Sequence, residues 1–199
     1  LADIDALAAI CNKNGLLFFE DAAHAHGSEW KGKRAGSFGL ASSFSFQNGK
    51  VMTAGEGGIV LTSDDALAAR MRSYANQGRR PGYSFFHHFE AGNNYRITAL
   101  QAAVLTAQLE RLDDQIALRE QNWKIFLDEY GDARGVTWQH VPAHVNRNSW
   151  YLLLGRVVGV AEQSGGDPVG PGAALLRTYH AAGKYPVDEG DGGGENLAL

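Results

Sequence analysis

Ile4, Leu7, Ala8 and Cys11 recur at helical spacing behind Asp3, an N-cap residue type, and Asn14-Gly15 supplies a left-handed stop. The run Leu16-Leu17-Phe18-Phe19 that follows is apolar on every side, which predicts a buried strand of a parallel sheet. Alternation over Ser42 to Phe46 predicts a second strand and Gly58 to Thr62 a third, with Gly55, Gly57 and Gly58 permitting a sharp reversal before it. Ser63 followed by Asp64 and Asp65 opens a helix with Leu67, Ala68 and Met71 on one face. Gln77 to Asn94, rich in glycine, aromatic and polar residues, reads as a long loop of a kind that often carries function.

Thr98 and Gln101 form a capping box, and the stripe Leu100, Val104, Ala107, Leu112 and Ile116 predicts one helix running to Tyr130, bent near Asp113-Asp114. A helix of that length suggests a connector between two domains. Val136 to Gln139 and Trp150 to Val158 read as strands of a smaller α+β part. From Ser164 onward Gly and Pro crowd the chain, and residues 190–199 are expected to be disordered. The pattern predicts an α/β chain: a large domain with a mainly parallel sheet over residues 1–97, a connecting helix over 98–130 and a small α+β domain over 131–199.

With 199 residues, 44% of them hydrophobic, the chain can bury a sizeable core. A net charge of −4 and scattered basic residues argue against nucleic acid as a partner. No apolar run approaches a membrane span, and no basic flank precedes an apolar run at the N-terminus. One cysteine, Cys11, cannot form an internal disulfide, which fits a reducing cytoplasm.

Two segments carry candidate chemistry. Asp21 leaves the first strand at its carboxyl end, where open α/β sheets place their ligands, and Lys50 sits in a glycine-bounded turn. A pyridoxal phosphate enzyme needs a lysine amine for the Schiff base and an acid that keeps the ring nitrogen protonated. A carboxylate about 4 Å from that nitrogen, at an effective dielectric near 20, contributes roughly 4 kcal/mol, or about three pKa units. Taken singly, Lys50 is also a surface loop lysine and Asp21 a turn acid. Three histidine pairs, at 24 and 26, 87 and 88, and 140 and 144, lack the companion ligands of a metal site, so no metal is expected. Phe44 stands where a phosphate-binding loop ending at Lys50 would need glycine. No dinucleotide fingerprint or nucleophile elbow is present.

Three motifs, in order, are Glu-Asp-Ala-Ala-His-Ala-His-Gly (20–27), Phe-Ser-Phe-Gln-x-x-Lys-x-Met-Thr-x-Gly-Glu-Gly-Gly (44–58) and Gly-Asn-Asn-Tyr-Arg-Ile-Thr-Ala-Leu-Gln-Ala-Ala (92–103). Together they resemble the DegT/StrS-type sugar-nucleotide aminotransferases, pyridoxal 5'-phosphate enzymes of fold type I, over residues 1 to about 130. The resemblance implies that Lys50 forms the internal aldimine and shuttles the proton, while Asp21 pairs with the pyridine nitrogen. It places Ala23 against the ring face, His24 near the phenolic oxygen and Ser45 on the phosphate. Asn94 would reach the phosphate bound by the neighbouring subunit, which requires a homodimer. Family members are roughly twice as long, so the chain reads as a fragment lacking the N-terminal part, with its phosphate-cradling helix and the aromatic that stacks on the ring. Trp30 is a poor substitute for that aromatic. Asn148-Ser149-Trp150-Tyr151 replaces a His-Ser-Tyr type segment, which leaves substrate selection open. The implied reaction transfers an amino group from glutamate or glutamine to a keto-sugar nucleotide or a related cyclic ketone. An aminohydroxybenzoate synthase and a catalytically inactive fragment are the alternatives.

Overall fold

The computed structural model describes residues 1–157 and the strand Ala174–Leu175. Helix α1 (Ile4–Asn14) starts at Asp3, whose carboxylate accepts from the Ala6 amide, and ends on Gly15 at φ 62°. The first strand, β1 (Phe19–Asp21), begins three residues later than the apolar run predicts. Its span is set by the neighbouring strand over Ala41–Ser45, with which it pairs in parallel from Phe19 opposite Ala41 to Asp21 opposite Ser43. Leu16, Leu17 and Phe19 are 58%, 69% and 56% exposed, so the expected two-sided burial is not met within this chain. Asp21 nonetheless ends the strand.

After a tight turn come β2 (Glu29–Trp30) and β3 (Lys33–Arg34), then β4 (Ala41–Ser45) and β5 (Gly58–Leu61). The second ladder, β4 with β5, is antiparallel, so the sheet β1-β4-β5 is mixed and not mainly parallel. The reason is local: a parallel return needs a crossover element, whereas residues 46–57 are a loop closed by Gly55 and Gly57 at positive φ.

Helix α2 (Asp65–Ala75) is capped by Asp64, not by Ser63, through the Leu67 amide. The long helix predicted to Tyr130 is two: α3 (Ala99–Glu110), with the capping box intact, and α4 (Leu112–Tyr130). The break is at Arg111, just before the Asp113-Asp114 pair, and those acids fall in the first turn of α4, where they favour a new N-terminus. Asp113 is also gripped by Arg147 at 2.7 Å and Arg34 at 3.2 Å. Burial alone would raise its carboxyl, but the two guanidinium groups hold it below the usual carboxylate range.

Strands β6 (Val136–Trp138), β7 (Val145–Arg147), β8 (Gly155–Val157) and β9 (Ala174–Leu175) follow. Two three-stranded sheets result, β3-β2-β7 and β6-β8-β9. Pairing of β2 with β7 brings Trp30 and Val145 onto Ile4 and forms the core cluster, flanked by Phe18, Phe38 and Val141. Among the described residues of the strand expected over Trp150 to Val158, Gly155–Val157 form it, while Ser149 hydrogen-bonds to His24 and Tyr151 faces Lys50. The tail expected to be disordered lies outside the described residues.

Candidate active site

The sheet brings the two chemistry-bearing segments together because Asp21 pairs with Ser43, two residues before Ser45 and seven before Lys50. Beyond Asp21 the chain makes two consecutive tight turns, Ala25 amide to Ala22 carbonyl and Ser28 amide to Ala25 carbonyl, at 2.9 and 3.0 Å. Asp21 Oδ1 accepts from the Ala23 amide at 3.1 Å, which fixes the side chain; its other oxygen has no partner among the described residues. Ala23 is half-buried and His24 is exposed.

The lysine turn is pinned from several sides. The Lys50 amide donates to the Gln47 carbonyl at 3.0 Å, Val51 and Met52 are buried, and Thr53 donates through its hydroxyl to the Phe46 carbonyl. Gln108 of α3 accepts from the Thr53 amide at 3.2 Å, so α3 braces the turn. Gln101, besides closing its capping box, donates to the Glu56 carbonyl at 2.8 Å. Ser45 is half-buried, and its hydroxyl accepts from the Gln47 amide at 3.3 Å.

Lys50 Nζ lies 4.8 Å from the centre of the Tyr151 ring, and the His24 ring lies 4.3 Å from that same ring. Burial pushes the His24 imidazole below its ordinary pKa, the Lys50 ammonium adds to the shift and the Asp21 carboxylate opposes it. Both charged groups therefore act on one imidazole, which stays neutral at pH 7. Behind it His26 is 3% exposed, packed between Phe44 and Phe46, and neither ring nitrogen has a hydrogen-bond partner among the described residues. Its imidazolium is disfavoured by burial, with the Ser45 backbone opposing in part.

Asn94 stands apart. It is exposed, forms an isolated bridge with Asn76, and its Oδ1 accepts from the Arg96 amide at 3.4 Å. No contact joins it to Asp21, His24, Ser45 or Lys50 among the described residues. Trp30 is core, not site. Two contributors were not legible in the sequence. Glu20 accepts from the amides of Gly36, Phe38 and Gly39 at 2.7, 2.6 and 2.8 Å and so fixes the connection into β4. Ser149 donates its amide to the Ser28 hydroxyl at 2.9 Å and its hydroxyl to the His24 carbonyl at 2.8 Å, which seats Tyr151 over the turn. The unusual Asn-Ser-Trp-Tyr segment was the only hint.

Residues 1–164 match the DegT/DnrJ/EryC1/StrS aminotransferase family. The chain belongs to this family. Its members are pyridoxal phosphate enzymes. A 3-amino-5-hydroxybenzoate synthase of Amycolatopsis mediterranei is 42% identical over 166 residues, which is 82% of this chain and 42% of that protein. A putative L-glutamine:3-amino-2,3-dideoxy-scyllo-inosose aminotransferase of Streptomyces kanamyceticus is 48% identical over 114 residues, 57% of this chain and 27% of its own. The crystal structure of a 3-amino-5-hydroxybenzoic acid synthase superposes with a TM-score of 0.74 at 41% identity, covering 81% of this chain and 42% of its own. The chain thus spans less than half the length of these relatives.

Proposed function

We propose that this chain carries the catalytic lysine of a pyridoxal phosphate-dependent aminotransferase that moves an amino group from glutamate or glutamine to a cyclic keto compound. The observation that carries the reading is the grouping of Lys50 and His24 on one aromatic ring, with Asp21 acting on the same imidazole. The donor set fits the cofactor: a carboxylate oxygen left without a partner among the described residues, an imidazole whose pKa is lowered, a lysine amine and, at Ala23, a small side chain that leaves room for a flat ring. Bound pyridoxal phosphate supplies the electron sink that lets an amino acid lose its α-proton.

The chain's residues do the rest. Asp21 holds a proton on the ring nitrogen through its unpartnered oxygen. Lys50 Nζ takes the donor's α-proton and returns a proton in the second half-reaction, as a general base and then a general acid. His24 meets the phenolic oxygen, and Ser45 presents its hydroxyl to the phosphate. Asn94, exposed and away from Lys50, acts across a homodimer on the phosphate held by the neighbouring subunit. The division into residues 1–97, 98–130 and 131–199 belongs to the same reading. It is supported by α3 bracing the lysine turn while Trp123 of α4 packs on Trp138 and Trp150. No helix among the described residues is long and apolar enough to cross a membrane. We place the protein in the cytoplasm, on the support of a single free thiol at Cys11.

We favour a carbocyclic or aromatic-ring precursor as acceptor, on the support that the synthase and the inosose aminotransferase named above are named for ring compounds without a nucleotide. The test is the absorbance spectrum of purified protein with added cofactor. A visible band present in wild type and absent from Lys50→Ala is expected. No band in either protein refutes the assignment and favours the non-catalytic alternative.

A further inference from the structure

Trp150 has φ 49°, a left-handed conformation that costs a bulky residue free energy. Three contacts hold it there: the Ser149 clamp on Ser28 and His24, the Trp150 ring at 4.9 Å from Trp123, and Arg119 Nη1 donating to the Trp150 carbonyl at 3.3 Å. Strain held from several sides is characteristic of ligand clamps. Its result here is to aim the next residue, Tyr151, at Lys50 and His24.

Arg119 itself has no counter-charge among the described residues. It is half-buried on α4, and none of the ion pairs among the described residues includes it. Burial lowers its pKa, with the Tyr151 phenol opposing, and its bond to the Trp150 carbonyl holds it beside the residue that precedes Tyr151. A partly desolvated guanidinium without a carboxylate is a poor structural element and a good receptor for one. Among the described residues one N–H is used on Trp150, which leaves the rest of the fork for a planar anion.

We propose that Tyr151 and Arg119 form a carboxylate-receiving corner of the Lys50 site, the Tyr151 ring serving as the wall against which a substrate lies and Arg119 as the cation that binds its carboxylate. The proposal rests on the aminotransferase reading and deepens it: one of the two substrates is recognised by a carboxylate near the reacting centre. That carboxylate is either the α-carboxylate of the amino-acid donor or one borne by the cyclic acceptor.

The test is calorimetric titration of the protein, with and without pyridoxal phosphate, using two matched probe pairs. L-glutamate against its α-amide represents the donor, and 3-hydroxybenzoate against 3-hydroxybenzamide the acceptor. Wild type is expected to prefer the acid in at least one pair. Arg119→Gln should weaken that acid about 10- to 100-fold while its amide changes less than about twofold. Tyr151→Phe should retain most of the preference, Tyr151→Ala should weaken acid and amide alike, and the cofactor band should persist in the Arg119 variants. The pair that responds identifies the substrate. No acid preference in wild type, or equal weakening of acid and amide in Arg119→Gln, overturns the proposal. Should Arg119→Gln not fold, Arg119→Met keeps the aliphatic stem and is read by the same criterion. Loss of the aminotransferase reading would show separately, as a wild type without the cofactor band, and the cofactor-free titrations would still decide the corner.

Discussion

Gly27 is where the site turn meets helix α4. It sits at φ 71°, and a β-carbon there would lie 2.3 Å from Ile116 Cδ1, the end of a side chain with no exposed surface. Gly27→Ala therefore meets two separable costs. The left-handed backbone costs roughly 1–2 kcal/mol for a residue with a β-carbon, and overpacking against a buried neighbour adds about 1–3 kcal/mol. The sum, about 2–5 kcal/mol, is a large share of the ~5–15 kcal/mol available to a domain. At its own cost of about 0.5–1.5 kcal/mol, Ile116→Val removes the nearest atom in the way and leaves Arg34 Nη1, the end of a flexible side chain, at 3.1 Å. Urea unfolding of wild type, both single variants and the double variant gives the cycle. The double variant should recover about 1–3 kcal/mol relative to the sum of the singles, leaving the backbone cost. A Gly27→Ala cost below about 0.5 kcal/mol, or strict additivity, would refute the view that the close approach of Gly27 to Ile116 leaves no room for a β-carbon.

Glu20→Gln should destabilise by about 2–3 kcal/mol, because one carboxylate serves three backbone amides and an amide group presents donors where only acceptors fit; equal midpoints in chemical denaturation would contradict this. His26 gives a pH dependence. Its folded pKa lies below the ordinary value near 6.5, so the unfolded chain binds the proton first. Stability is then complete above about pH 6.5 and falls as pH drops below it, by up to about 1.4 kcal/mol per unit. His24 is shifted the same way but is exposed, so its share is smaller. His26→Phe should flatten the slope of midpoint against pH between 6.5 and 5, and an unchanged slope would count against a buried neutral imidazole.

Helix termini were readable because their determinants are local. Asp3, Gly15 and the Thr98–Gln101 box act within four residues of themselves, and all three are found as expected. Strand limits and pairing were not, because a strand is defined by its neighbour: β1 begins opposite Ala41 and not at its first apolar residue, and the glycine reversal makes β5 antiparallel. The helix break at Arg111 also escaped periodicity, since the apolar stripe continues across it and its nearest sequence mark is the acidic pair after it.

By itself the amino-acid order determined the family and the candidate reacting groups at positions 21 and 50, because an acid ending a strand and a lysine in a glycine-bounded turn are chemical requirements written in contiguous motifs. What surrounds them was decided only in three dimensions. Tyr151 reaches Lys50 across 101 positions because two serine hydroxyls and a left-handed tryptophan bend the chain toward it. Arg119 becomes a candidate receptor only because folding partly removes it from water without supplying a counter-charge among the described residues. Contacts of that separation depend on the packing of whole elements, and no local pattern encodes them.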